Sequence, residues 1–114
     1  MRINDLIKKI PHTILAGEEF LNREIKSGYC CDLLSRVMAH GPRNGIWITV
    51  QTHVNIIAIA TLLDISCIII PEDISVDPNT IAKANEEEVV VISSPLTAFE
   101  LAGRLYEMGV GNQK

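Results

Sequence analysis

Short apolar runs alternate with segments of helical periodicity from Gly45 to the end of the chain. The runs predict strands at 45–50, 66–70 and 89–92, and the periodic segments predict helices at 53–64, 77–88 and 97–108. Uniformly apolar strands that alternate with helices are typical of a parallel sheet covered on both faces. We therefore expect a compact single α/β domain over residues 1–114, with a mainly parallel sheet and helices on both faces.

Residues at the predicted helix ends support these assignments independently. Asp77 stands before a proline, as an N-cap does, and Thr97 with Glu100 matches a capping box. Gly109 can take the left-handed position that ends a helix, with Val110 as the apolar contact that follows it. Thr52, followed three residues later by an asparagine, is a weaker start signal.

The first 44 residues have a less regular pattern. We predict a helix over 4–10, short strands at 14–15 and 20–21 around Gly17, and a further extended segment at 24–26. A helix is predicted over 32–39, followed by a loop at 40–45. The apolar side chains expected to face inward from the helix over 32–39 are Leu33, Leu34, Val37 and Met38.

The helix over 53–64 is apolar nearly all round, with Asn55, Thr61 and Asp64 as its polar positions. Such a helix must be covered nearly all round, and one sheet covers a single side. Either neighbouring helices flank it or a second subunit packs against it, because large exposed apolar patches are rare on monomers. The second alternative predicts a homodimer interface at Ile56, Ile59, Ala60 and Leu63.

Composition agrees with a small globular domain. Hydrophobic residues make up 47% of the 114 residues and aromatics 4%, with seventeen Ile and eight Val against ten Leu. A β-branched core of this kind suits buried strands. The charged fraction of 21% argues against a disordered chain, and the net charge of −4 supplies no basic face for DNA or RNA.

The longest apolar run, at 54–63, is too short to cross a bilayer, and the N-terminus lacks the apolar stretch of a signal peptide. Cys30, Cys31 and Cys67 form an odd set with two adjacent members, which is a poor disulfide framework. We therefore expect a protein of the reducing cytoplasm with no membrane segment.

Polar residues follow the predicted strands at their carboxyl ends, where open α/β sheets bind ligands. These polar residues lie beside the free N–H groups at helix starts, and such a combination suits an anionic or hydroxyl-bearing ligand. The same residue types are also ordinary caps and turn formers. The candidate ligand-binding residues after the predicted strands are Gln51, Thr52, His53, Asn55, Ser93, Ser94 and Thr97, and Asp32 joins them from the start of its own predicted helix.

Sequence motifs of several enzyme classes are absent. The chain has no GxGxxG, no GxxxxGK[ST] and no GxSxG, so neither a nucleotide fingerprint nor a nucleophile elbow is present. The three histidines lack HxxxH spacing and the cysteines lack CxxC spacing, so we expect no metal site and no cofactor. Cys67 is expected in the core, whereas Cys30 or Cys31 at a helix start could have a lowered pKa.

Three stretches of the chain, 31–39, 45–60 and 97–106, resemble the small stand-alone members of the DRTGG-domain family. This family is similar to the N-terminal domain of the bacterial HPr kinase/phosphorylase, and its domains also occur attached to phosphotransacetylases and CBS-domain pyrophosphatases. The resemblance implies a compact α/β domain with a mainly parallel sheet. It also implies a regulatory or structural role, often at a dimer interface.

The chain departs from that family at one place that concerns function. The five letters of the family name are absent, and the segment 51–55 stands where many relatives have a Gly-Asp-Arg type of turn. An anion contact by that arginine therefore does not transfer. The kinase activity associated with the resemblance requires a P-loop, which this sequence lacks, so no catalytic residue transfers either.

Three functional hypotheses follow. The first is a non-catalytic regulatory module that forms a homodimer and binds a small anionic metabolite or nucleotide. The second is an adaptor that docks a partner enzyme without a small ligand. The third is a small acid–base enzyme that uses Asp32, His53 and Ser93 or Ser94, which requires those side chains to converge.

Overall fold

A mostly parallel sheet forms the centre of the chain, as described by a computed structural model over residues 1–111. Within these residues the strands are β1 (Thr13–Ala16), β2 (Gly28–Cys30), β3 (Ile46–Ile48), β4 (Cys67–Ile70) and β5 (Val90–Ser93). The α-helices are α1 (Ile3–Ile7), α2 (Leu34–His40), α3 (Asn55–Leu63), α4 (Pro78–Glu86) and α5 (Ala98–Glu107). The sheet order is β1-β5-β4-β3-β2, with β1 antiparallel to β5 and all other pairs parallel. The predicted α/β class is confirmed.

The parallel strands lie side by side in chain order, and this order determines where the helices pack. Each connection from β2 to β5 proceeds in the same direction across the sheet, so right-handed crossovers place α2, α3 and α4 on one face. The opposite face is covered by α1 and α5. Alternation along β3 divides the core accordingly, since Trp47 packs with the crossover helices and Ile46 and Ile48 with α1 and α5.

Helix α3 is flanked by α2 and α4, which resolves the two alternatives for its apolar surface. Ile56, Ile59 and Ala60 are buried within the chain itself, at 0%, 6% and 1% exposure. The predicted homodimer interface at these three residues is therefore wrong, because a second subunit cannot reach them, and Leu63 is only partly exposed. Leu62 is the large apolar residue that α3 leaves in solvent.

The first 44 residues differ most from prediction. No strand forms at 20–21: Phe20 ends a 3-10 turn, Glu18–Phe20, which follows the left-handed Gly17, and Leu21 is the C-cap residue of that turn. The segment 24–26 contributes one isolated bridge, Arg2 to Glu24, and the strand next to it, β2, was not predicted. On α2, Val37 is buried, but Leu33 and Met38 are 64% and 50% exposed, because α2 contacts the core with a narrow face.

The predicted caps at Asp77, Thr97 and Gly109 are confirmed. Asp77 Oδ1 accepts a hydrogen bond from the Asn79 amide at 2.8 Å. Thr97 and Glu100 form the capping box, because the Glu100 amide donates to Thr97 Oγ1 and the Thr97 amide donates to Glu100 Oε1. Gly109 has φ +98°, and the Val110 amide donates to the Leu105 carbonyl at 3.0 Å, which closes a Schellman motif. The apolar contact expected from Val110 is present, since its side chain is buried.

The Thr97 box predicts a pH-dependent helix start. The hydrogen bond from the Thr97 backbone, followed by that from its hydroxyl, lowers the pKa of Glu100 below its ordinary value of 4.5. Because the folded pKa is the lower one, the stabilisation is complete above pH 4.5 and is lost as the pH falls through the folded pKa. We expect Glu100→Gln to lower the thermal unfolding midpoint at pH 7 and to have little effect at pH 3. Glu107→Gln, at the other end of α5, is the control and should show no such loss; equal losses at both pH values would contradict the assignment.

Candidate functional site

The Asp32 carboxylate joins the carboxyl ends of β2 and β3. Its Oδ1 accepts hydrogen bonds from Thr49 Oγ1 at 2.8 Å and from the Val50 amide at 2.9 Å. Gln51 closes the arrangement, because its Nε2 donates to the Asp32 carbonyl at 3.0 Å and its amide donates to Thr49 Oγ1 at 3.1 Å. These four residues, Asp32, Thr49, Val50 and Gln51, are called the Asp32 cluster below.

Sequence reasoning missed Thr49, which is buried at 1% exposure and whose hydroxyl bridges Asp32 and Gln51. The sequence did contain a signal for it: Thr49 is the one hydroxyl residue in the predicted strand at 45–50, and it stands between two apolar residues. Asp32 was predicted at a helix start, but Leu33 occupies the N-cap position of α2 and no side chain caps that helix. The carboxylate bonds across the sheet edge instead.

Helix α3 begins next to the cluster and also has no side-chain cap. Its N-cap residue is Val54, so the weak Thr52 start signal is not a cap. Thr52 contributes its backbone instead, since its carbonyl accepts a 2.8 Å hydrogen bond from the buried Thr80 hydroxyl on α4 and so links the start of α3 to α4. His53 and Asn55 are exposed beside the cluster.

Ser94 and Thr97 hold the fold at the other half of the same sheet edge. The buried Ser94 hydroxyl donates to the Pro11 carbonyl at 2.7 Å and accepts from the Leu96 amide at 3.3 Å. The loop after β4 is tied to this region, because the amides of Glu72 and Asp73 donate to the Leu96 and Ser94 carbonyls. Thr97 caps α5, as described above.

Replacing Ser94 by alanine tests this structural role. We expect a loss of about 1–3 kcal/mol in the free energy of unfolding, because the buried Ser94 hydroxyl is removed and the partly buried Leu96 amide and Pro11 carbonyl lose their partner. Urea denaturation measures the loss. Ser93→Ala, at a half-buried neighbouring position, is the matched control and should cost less. Equal, negligible losses for both variants would contradict the role of Ser94.

The three groups of the acid–base hypothesis are separated by the sheet. Asp32 follows β2, whereas Ser93 and Ser94 lie at the end of β5, three strand spacings away. At about 4.8 Å a spacing, the strand ends lie about 14 Å apart. This exceeds the reach of a hydrogen bond, so the proposed combination of Asp32, His53 and a β5 serine does not form.

The thiols of Cys30 and Cys67 both have a raised pKa. Burial, followed by the nearby Asp32 carboxylate and Cys31, raises the pKa of the Cys30 thiol, so the expected lowering at Cys30 is wrong. Cys67 is fully buried in the core as predicted, and that burial raises its pKa strongly. Between residues 1 and 111, no group of three or more His, Cys, Asp or Glu side chains is arranged to hold a metal ion.

A cleft of about 350 Å³ lies at the opposite, amino edge of the parallel strands. Its charged lining includes Glu24, Asp64, Glu87 and Glu88, with Arg23 as a cation. Helices α3 and α4 end there, and helix C-termini carry partial negative charge. The negative charge of this cleft therefore argues against an anionic ligand there, despite the volume of the cleft. The Asp32 cluster remains the better candidate for an anionic ligand.

None of the helices between residues 1 and 111 qualifies as a membrane span.

Comparison with known proteins shows a likeness in fold. No family model matches the sequence, and no curated protein matches it. Among solved structures, the chain is similar to the CBS and DRTGG domains of the regulatory region of Clostridium perfringens pyrophosphatase, a structure complexed with its activator, diadenosine tetraphosphate. The TM-score is 0.71 at 15% sequence identity, and the match covers 91% of this chain and 45% of that one. The chain thus spans less than half the length of that regulatory region, and the likeness is one of fold.

Proposed function

We propose that this chain is a non-catalytic regulatory module, one DRTGG-like domain that forms a homodimer and binds a nucleotide at the Asp32 cluster and the start of α3. The observation that carries the proposal is the distribution of helix caps. Helices α4 and α5 begin with capping side chains, whereas α2 and α3, which begin on either side of the cluster, have none. A bound anion can take the place of the missing cap at α3.

The chemistry of the cluster favours a nucleotide over a simple anion. At the start of α3 the amides of Val54 and Asn55 make no backbone hydrogen bond and are donors for phosphate oxygens, whereas the next two amides already donate to backbone carbonyls. The side chains of His53 and Asn55 are exposed beside them. Asp32 would repel a bare anion, but its Oδ2 can accept a hydrogen bond from a sugar hydroxyl, while Oδ1 is held by Thr49 and Val50. A ligand that carries hydroxyl groups several ångströms from its phosphates satisfies both halves of the site.

The comparison supports this class of ligand and a regulatory role. The structurally similar region is a regulatory one, and its activator is a dinucleotide. The separation of Asp32 from the β5 serines also argues against acid–base catalysis at this edge. The free cysteines suit a reducing compartment such as the cytoplasm.

Titration of ¹⁵N-labelled protein with ATP, diadenosine tetraphosphate and inorganic phosphate tests the proposal. We expect the nucleotides to shift the amide signals of Val50, Gln51 and 53–55, and phosphate alone to bind far more weakly. Asp32→Asn should weaken nucleotide binding about tenfold or more, because a hydrogen bond to a charged group is lost.

Asp73→Asn is the matched control, since Asp73 is an exposed carboxylate on the neighbouring loop and asparagine tolerates its φ of +53°. It should leave binding unchanged. Absence of nucleotide binding at millimolar concentration, or shifts confined to the amino edge of the sheet, would contradict the proposal.

An adaptor function is the second candidate, because α5 exposes two aromatic side chains. Phe99 is 88% exposed and Tyr106 61%, and with Gly103 they lie on one outer side of the helix. Exposed aromatics of this kind are enriched in protein interfaces. Under this hypothesis Phe99→Ser abolishes binding of a partner enzyme, and no nucleotide affects the complex.

A further inference from the structure

We propose that two copies of this chain pair through β2, antiparallel and centred on Tyr29, to form one continuous sheet across the dimer. The inference rests on the homodimer of the proposed function and specifies its surface, but it does not depend on nucleotide binding. It replaces the α3 surface that the burial of Ile56, Ile59 and Ala60 rules out.

Strand β2 is an edge strand with free backbone groups. It pairs with β3 on one side, and in the described part of the chain no strand lies on its other side. The Ser27 carbonyl and the Cys31 amide bond to β3, so Gly28 and Cys30 direct their amides and carbonyls to the open edge by alternation. Neither a proline nor a bulge protects this edge.

The free backbone groups of β2 are spaced so that they can pair with the same groups of a second copy. In an antiparallel pair centred on Tyr29, Gly28 lies opposite Cys30 of the second copy, and the two such pairs form four hydrogen bonds. The glycine leaves room for the cysteine side chain. Tyr29 faces Tyr29 of the second copy in the close, non-hydrogen-bonded pair between them, and aromatic cross-strand pairs stabilise sheets.

Charge complementarity identifies the occupant of this edge as a second copy. Lys26 lies three residues before Tyr29 and Asp32 three residues after it, and both are exposed. The same two-fold axis therefore sets Lys26 opposite Asp32 of the second copy, twice. An unrelated strand has no reason to carry opposite charges at these two positions.

An apolar groove of about 280 Å³ runs beside β2 and adds surface to the interface. Gly28 and Cys30 lie on its rim, and Ile48, Leu105 and Tyr106 line it from β3 and α5. A second copy at the β2 edge would shield this groove from water, which favours association. The pairing also brings Lys26 of the second copy next to the Asp32 cluster, where its charge would favour a bound phosphate.

A disulfide across the two-fold axis tests the register. Tyr29→Cys is placed in a Cys30→Ser, Cys31→Ser background, in which the two new thiols face each other in a close antiparallel pair. We expect a covalent dimer on a non-reducing gel after mild oxidation. Phe99→Cys in the same background is the control. Its exposed thiol lies on α5, away from the two-fold axis, so this variant should remain monomeric on the gel.

Light scattering tests the surface without altering β2 itself. We expect the wild-type chain to have twice its monomer mass of 12.6 kDa, and Lys26→Glu to weaken dimerisation about tenfold by opposing two carboxylates. Lys9→Glu, an exposed reversal on another surface, should have no effect.

A wild-type monomer at millimolar concentration would overturn the proposal. So would a dimer that Lys26→Glu leaves intact and Tyr29→Cys does not cross-link, because it must use another surface. A dimer that cross-links at Tyr29→Cys but binds no nucleotide would support this inference and refute the nucleotide site.

Discussion

Trp47→Ala is expected to lower the free energy of unfolding by about 3–5 kcal/mol, which is the range for removing a large aromatic side chain from a core. Trp47 lies at the centre of β3 with 0% exposure, between the sheet and the crossover helices. Its indole Nε1 donates a 2.8 Å hydrogen bond to the Cys31 carbonyl, which also loses its partner in the variant. Chemical denaturation followed by far-UV circular dichroism measures the effect.

Trp47→Phe separates the two contributions. Phenylalanine keeps most of the apolar volume but cannot donate to Cys31, so we expect an intermediate loss. Since Cys31 precedes Asp32, this hydrogen bond also anchors the Asp32 cluster, and the phenylalanine variant should shift the Val50 and Gln51 amide signals. A loss below about 1 kcal/mol for Trp47→Ala would show that this face of the sheet repacks freely, contrary to the close packing expected around a fully buried side chain.

The regular part of the fold was predictable because its signals are local. In β4 and β5 nearly every residue is apolar and both faces are covered, so a continuous run identifies each strand without knowledge of its neighbours. The helices that follow carry caps at Asp77 and Thr97 that the sequence shows directly. These elements were found with errors of one or two residues at their ends.

Strand β2 could not be found in this way. Its residues Gly28, Tyr29 and Cys30 lack the β-branched pattern of the other strands, and the segment is extended because β3 supplies its hydrogen bonds. The surroundings of α3 are also non-local. The covering of this apolar helix by α2 and α4 follows from the strand order, which places all three crossovers on one face.

The candidate site also combines features with a local sequence signal and features that depend on distant residues. The position of Gln51 at the carboxyl edge followed from the predicted strand at 45–50, whereas Asp32 was placed only at the start of a predicted helix, because the strand before it was not predicted. The pairing of Asp32 with Thr49 depends on the register of β2 against β3, in which Cys30 lies opposite Ile48, and no local pattern encodes that register. The internal role of Ser94 depends on Pro11, 83 residues away in the chain.

Gly17→Ala is the second variant with a large expected effect, a loss of about 2–5 kcal/mol in the free energy of unfolding. Gly17 has φ +75° and ψ +27°, a left-handed conformation that costs a residue with a Cβ about 1–2 kcal/mol. A Cβ there would also lie 2.8 Å from the Val89 carbonyl oxygen and 2.8 Å from Val90 Cα. These are backbone atoms at the start of β5, so relief of the clash requires β1 and β5 to separate.

Gly103→Ala is the matched control for this effect, because the same substitution meets opposite conditions. Gly103 lies within α5, and a Cβ added there has no atom within 4 Å. Alanine should therefore stabilise the chain by about 0.5–1 kcal/mol through its higher helix propensity. Urea midpoints of the two variants, compared with that of the wild-type chain, should move in opposite directions. A Gly17→Ala midpoint at or above the wild-type value would mean that β1 leaves room at β5, contrary to the close approach of Gly17 to Val89.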